Sequence, residues 1–152
     1  MSRASKQALH ESPKGVVEDL RPPYKEAWIA GALVFALYWL TLSPTTAFWD
    51  TSEYIATGHI LGIPHPPGNP LFVVLARTWS VVFTSFGLSV ATSINLFSAF
   101  MSAAAHAMWF LVAHHILRYF SSDKLFRLAG AATAVLVSST SFTVWSLSLI
   151  HI

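Results

Sequence analysis

Apolar positions along this chain gather into three long runs, about residues 27–43, 93–117 and 128–150. Each approaches or exceeds the roughly 20 residues that a helix needs to cross a bilayer. In lipid such a run must be helical, because no other local structure satisfies its backbone hydrogen bonds. Between the first two runs, residues 44–92 hold two shorter apolar stretches, Tyr54 to Leu61 and Leu71 to Phe83, neither long enough to span. In the second, Arg77, Ser80 and Thr84 fall on one helical face. That pattern predicts a helix at the membrane interface or tucked against the bundle. The predicted fold is therefore all-α and integral to the membrane, with three transmembrane helices and short interfacial helices in the first outer loop. Residues 1–26, polar and proline-containing, read as a disordered cytoplasmic tail, residues 27–146 as one membrane domain.

Composition agrees and adds orientation. Hydrophobic residues make up 54% of the 152 and charged residues 11%, against about 25% charged in a soluble domain. Arg3, Lys6, Lys14, Arg21 and Lys25 precede the first run, Arg77 alone falls between the first and second, and Arg118, Lys124 and Arg127 follow the second. Basic residues accumulate on the cytoplasmic side. The N-terminus and the 118–127 connection are thus expected in the cytoplasm, and loop 44–92 outside or in a lumen. A cleaved signal peptide ending near Ala47 is the competing reading of the first run. No basic stripe interleaved with aromatics suggests a nucleic-acid partner. The chain has no cysteine, which removes disulfides, thiolate metal sites and cysteine nucleophiles.

Candidate chemistry concentrates in the outer loop. Asp50 and Glu53 are the only acids between Ala27 and Ser122. Two readings stand side by side. Asp-x-x-Glu before an apolar run is a capping-box pattern, Asp50 at the N-cap and Glu53 at N3. A carboxylate at the membrane surface is also a candidate general base or cation ligand. Next comes Gly62-Ile63-Pro64-His65-Pro66-Pro67-Gly68-Asn69-Pro70, whose four prolines exclude a helix interior and predict a stiff, extended turn. His65 lies in that turn and His59 on the preceding helix surface. Two histidines without a third ligand give no metal assignment, and a divalent requirement stays open. Arg77 is either a partner for developing negative charge or a side chain snorkelling to headgroups. Small residues four apart (Ser98/Ser102, Ala99/Ala103, Gly130/Ala134) suit close helix packing. His106, in the middle of the second run, is expected to hydrogen-bond across helices, and Asn95 to cap or bridge.

The stretch from Leu42 through Phe48-Trp49-Asp50-Thr51-Ser52-Glu53-Tyr54, the loop Leu61 to Leu71, and Asn95-Leu96-Phe97-Ser98-Ala99 together resemble a multi-pass membrane family of formerly unknown function. That family includes the animal transmembrane protein O-mannosyltransferases, and the likeness runs over about residues 27–146. It implies a glycosyltransferase of the GT-C superfamily, whose sugar donor is linked to polyprenyl phosphate or diphosphate. The acceptor is then a hydroxyl, on protein where the animal members are the guide, and the sugar mannose. Asp50 and Glu53 match the catalytic acids of the first outer loop, with His65, Arg77, His59 and Asn69 as donor- or acceptor-binding groups. The bilayer is a partner, either a bacterial inner membrane or the endoplasmic reticulum. In this family the Phe-x-x-Trp-Ser element, here Phe142 to Ser146, leads into further spans. The chain instead ends within its third apolar run, so residues 147–152 read as a non-native end of an N-terminal fragment, inactive alone. Two rivals remain, a transporter or channel subunit and a catalytically idle scaffold of the same fold.

Overall fold

A computed structural model describes residues 21–46, 50–66 and 68–144. The readings of residues 1–20, of Ala47, of Phe48-Trp49, of Pro67 and of everything from Trp145 onward lie outside them. Five helices and no strand occur among the described residues: α1 Tyr24–Leu40, α2 Thr51–Ile60, α3 Pro70–Thr84, α4 Val90–Leu117 and α5 Lys124–Thr140.

Local chemistry sets their limits. Pro22 and Pro23 precede α1, and Glu26 in its first turn complements the helix dipole. Helix α3 begins on Pro70, where a missing N–H costs nothing. Ser89 caps α4 by accepting the Thr92 N–H at 3.1 Å. Asp123 does the same for α5 through Leu125 at 2.9 Å. These caps start α4 and α5 three or four residues before the apolar runs begin. Lys124 and Arg127 therefore belong to the first turn of α5, not to the connection, and Arg127 is only 2% exposed.

Helix α4 is the axis of the fold. Its 28 residues extend about 42 Å. Among the described residues it is the one helix long and apolar enough to cross a membrane, with α3 a shorter apolar helix. Helices α1 and α5, at 17 residues each, reach about 26 Å. They pack on α4 around Ala27, Val34, Tyr38, Ala99, Ala103, Phe110, Ala131 and Val135. Approach is close at Gly31, where a Cβ would stand 2.9 Å from the Ala107 Cβ and 3.2 Å from the Ala103 carbonyl oxygen. Ala99 and Ala103, with Ala107 one turn further along, thus form the close-packing surface expected of small residues. At mid-height His106 is buried, Nδ1 by the Ser102 carbonyl at 2.8 Å and Nε2 by Ser138 Oγ on α5 at 3.3 Å. The edge of the Tyr38 ring meets it from α1, and the Tyr38 hydroxyl donates to the Ser139 carbonyl at 3.0 Å. The expected cross-helix hydrogen bond of His106 is present.

Helices α2 and α3 form a second layer over the first half of α4. Ala76, Ile94 and Phe97 make its core, and Trp79 stacks on Phe83 at 4.6 Å beside Phe97 and Phe100. Ser80 is buried and Arg77 and Thr84 partly so, so the polar face of α3 turns inward and the helix is tucked on the bundle. Its outer face, like those of α1 and α5, presents large apolar side chains, among them Leu71, Val81, Leu33, Leu40, Leu136 and Val137. Apolar surface this extensive is unusual on a soluble monomer.

Candidate functional site

The site is assembled where α1 gives way to α2. Asn95, near the start of α4, donates to the carbonyls of Ser43 and Thr45 at 2.9 and 3.1 Å, and Thr92 Oγ1 donates to the Pro44 carbonyl at 3.1 Å. These bonds pin the segment that delivers Asp50. Asp50 occupies the N-cap position of α2, and its carbonyl accepts the Tyr54 N–H at 3.0 Å. Its carboxylate, however, makes no cap bond to the helix. The capping box is therefore present in spacing and absent in bonding.

Glu53 explains the difference. Its carboxylate turns to the proline loop, Oε1 accepting the His65 backbone N–H at 2.6 Å and Oε2 meeting His65 Nδ1 at 2.9 Å. Pro64, Pro66 and Pro67 carry no N–H, so Glu53 grips the loop at the single backbone donor of residues 64–67. Pro64 is buried beneath it. Gly68, at φ 73°, closes the turn by donating to the His65 carbonyl at 2.9 Å, a backbone conformation that favours glycine. Leu61 holds the other end at φ 56°, with Gly62 N–H returning to the Thr57 carbonyl at 2.9 Å in a Schellman-type closure.

Tyr54, one residue after Glu53, completes the scaffold. Its ring stands nearly perpendicular to those of His65 and Phe72, with centroids 6.1 and 5.4 Å away, and its hydroxyl accepts from Asn69 Nδ2 at 2.7 Å. Sequence reasoning placed Asn69 among ligand-binding groups and passed over Tyr54. The only available signal was its adjacency to Glu53, which says nothing about which way the ring points.

Electrostatics follow from the pairing. The Glu53 carboxyl is held below its ordinary 4.5, first by the hydrogen bond with the His65 ring and then by the His65 backbone N–H, against a smaller opposing effect of burial. The His65 imidazole is raised above its ordinary 6.5 by the hydrogen bond to Glu53 and then by its charge. On the other side of the ring, Nε2 lies 3.8 Å from Asp50 Oδ2, a charge contact too long for a hydrogen bond. One donor atom from each of Asp50, Glu53 and His65 falls within 4.8 Å of the others. The fold thus gathers a three-ligand set that joins His65 to the two acids and leaves His59 out. Such a mixed carboxylate–imidazole set could hold a divalent cation, with remaining positions open to water or substrate. All three side chains are one third to one half exposed, so a ligand can reach them.

His59 and Arg77 do not join this cluster. Arg77 Nη1 lies 3.0 Å from His59 Nδ1, and since a guanidinium only donates, that ring nitrogen is the acceptor. The pair bridges the far end of α2 to the middle of α3. Six residues separate Glu53 from His59, about 9 Å along the helix axis.

The profile of the family described as "Protein O-mannosyl-transferase TMEM260 N-terminal domain" matches residues 50–150. This chain belongs to that family. Two TMEM260 relatives align well: the mouse Protein O-mannosyl-transferase TMEM260 is 34% identical over 131 residues, covering 80% of this chain and 17% of the mouse protein. The Dictyostelium discoideum Protein O-mannosyl-transferase tmem260 is 33% identical over 78 residues, covering 51% of this chain and 10% of its own length. The chain therefore spans about a sixth or less of the length of these relatives. No solved structure matches it significantly. The span matched by the TMEM260 family begins at Asp50 and contains Glu53, the proline loop and α2 to α5.

Proposed function

We propose that this chain carries the acceptor-side part of a membrane O-mannosyltransferase site, with Asp50 as the base. One observation carries the reading: Asp50 and the Glu53–His65 pair converge beside the proline loop, inside the segment matched by a family named for protein O-mannosyl transfer. In the step envisaged, an acceptor serine or threonine hydroxyl gives its proton to the Asp50 carboxylate. Its oxygen forms a bond to the sugar C1, and the C1–oxygen bond to the lipid phosphate breaks, the electron pair leaving with the phosphate. Positioned general-base catalysis of this kind contributes about 10²–10⁴-fold. Glu53 has both oxygens committed to His65, so its part is to position the loop and the imidazole that faces Asp50. Arg77, braced by His59, is the cation offered to a donor phosphate from the far end of α2.

The membrane arrangement is part of the proposal. Helices α1, α4 and α5 would span and α3 would lie along the interface, within a GT-C-like domain covering residues 27–146. The N-terminus would be cytoplasmic and the 44–92 segment outside or lumenal, as the basic residues direct. The outward apolar side chains of these helices support a lipid surrounding. A divalent cation on Asp50, Glu53 and His65 is the second reading, favoured by the separation of their donor atoms.

The test is transfer by the full-length protein from polyprenyl-phosphate mannose to a serine- or threonine-containing acceptor, wild type against Asp50→Asn, with and without a chelator. Transfer that survives Asp50→Asn refutes the base. Transfer indifferent to chelation refutes the cation. No transfer from any polyprenyl-linked sugar would return the chain to the transporter or scaffold readings.

A further inference from the structure

The opposite end of the bundle carries a feature that glycosyl transfer does not use. The start of α1, the last turns of α4 and the first turn of α5 meet there around a cavity of about 400 Å³. Arg21, Lys25, Lys124 and Arg127 line it together with His114, and among the described residues Glu26 is the only carboxylate in the lining. Basic groups gathered on a concave wall concentrate their field on an anion that enters. Arg127 is firmly held. It is 2% exposed, and its Nη1 donates to the carbonyls of Ser121 and Ser122, each at 3.2 Å, so the guanidinium is fixed before any ligand arrives. His114 is buried at the same wall, 5% exposed.

The cavity does not stand alone. A groove of about 300 Å³ shares Pro22, Pro23, Tyr24 and His114 with it and runs along α4 over Leu111, Val112 and Ile116. A cationic chamber that opens onto an apolar groove fits one class of ligand, an anion with a hydrocarbon tail. Tyr24 at the junction has the amphipathic ring common where headgroup meets acyl chain.

We propose that this cavity and groove bind an anionic phospholipid. The phosphate sits among Arg21, Lys25, Lys124 and Arg127, making charge-assisted hydrogen bonds, and an acyl chain lies over Leu111, Val112 and Ile116. Basic pockets between helices on the cytoplasmic side of a membrane recognise headgroups in this way. The proposal rests on the membrane reading of the chain and is independent of glycosyl transfer, which the test does not measure.

The experiment is thermal unfolding and native mass spectrometry of the full chain in a neutral maltoside detergent, with phosphatidylglycerol, phosphatidylcholine or inorganic phosphate added. Phosphatidylglycerol is expected to raise the unfolding temperature and to remain bound in the gas phase, while phosphatidylcholine does neither. Lys25→Gln combined with Lys124→Gln removes two exposed cations and leaves buried Arg127 in place. Its affinity for phosphatidylglycerol is expected to fall roughly thirtyfold, with helix content unchanged by circular dichroism. Ile116→Asn should weaken phosphatidylglycerol and leave any inorganic phosphate effect alone. Equal binding of the two lipids would overturn the proposal, as would undiminished binding by the double variant. Inorganic phosphate that reproduces the whole effect would overturn the amphiphile and leave a simple anion site.

Discussion

The α2–loop–α3 region and the α1–α4–α5 bundle are built on opposite principles. The bundle is held by close approach: Gly31 against Ala103 and Ala107, with Tyr38 and His106 the polar tie at mid-height. The loop region is held by a few long-range polar contacts, Glu53 to His65 on half-exposed side chains and Tyr54 to Asn69 and Asn95 to Ser43 with one buried partner each. Packing gives a scaffold that resists deformation. Exposed hydrogen bonds give groups that are aimed and yet reachable. The two regions should therefore fail differently, the loop by losing chemistry and the bundle by losing stability.

The sharpest separation is expected from Asp50→Asn in the full-length protein. Transfer should fall about 10²–10⁴-fold with α2 still formed, because the Asp50 side chain makes no cap bond to that helix. Glu53→Gln should come next, lowering transfer about tenfold through disorder of the loop, as a supporting residue of the site does. The same variant should let the His65 imidazole fall back toward its ordinary value, followed by NMR titration of the ring. An unmoved His65 titration would mean that the pairing does not organise the loop.

The pH dependence of that pairing has a defined sign. Glu53 titrates below 4.5 in the folded chain, so its contribution is present above that value and is lost as pH falls through the lowered one. His65 titrates above 6.5, so its contribution is complete below that value and is lost as pH rises through the raised one. Hydrogen exchange at the His65 amide should accordingly be slowest, relative to its intrinsic rate, between these limits. In Glu53→Gln the extra protection should vanish across the whole range.

The bundle should answer in the other currency. Gly31→Val places side-chain atoms where the Ala107 Cβ and the Ala103 carbonyl already stand, and should destabilise by about 1–3 kcal/mol. Transfer per folded molecule should be little altered. Smallest is Leu61→Gly, which relieves a left-handed residue at the end of α2 and should stabilise by about 1 kcal/mol. A loss of stability there would show that the Leu61 side chain contributes more than its backbone costs.

Much of this was legible along the chain. Apolar runs located α1 and α4 to within three residues at either end, whereas α5 ends at Thr140, well short of its run to about 150, and the early starts of α4 and α5 came from caps. Ser89 and Asp123 lengthen α4 and α5 beyond the apolar positions, because a cap rewards the first backbone N–H groups whatever the hydrophobicity there. Proline spacing marked a rigid turn, and Asp50 and Glu53 marked a helix start. The same spacing misled about bonding, since a capping box and a carboxylate that leaves its helix look alike in sequence. The pairing of Glu53 with His65, 12 residues apart, depends on how α2 and the loop fold back on each other. The pairing of Arg77 with His59 likewise depends on α3 crossing beside α2, which no local pattern encodes.

The sequence by itself determined the membrane-like character, the helical content, the position of the acids ahead of α2 and the stiffness of the loop, because each depends on local propensity and periodicity. Only the tertiary structure decided that Glu53 binds the loop instead of its own helix, that Asp50, Glu53 and His65 share one small volume, and that the basic residues of two distant segments enclose a cavity. Those outcomes depend on the directions of side chains brought together across the fold, and no local pattern encodes them.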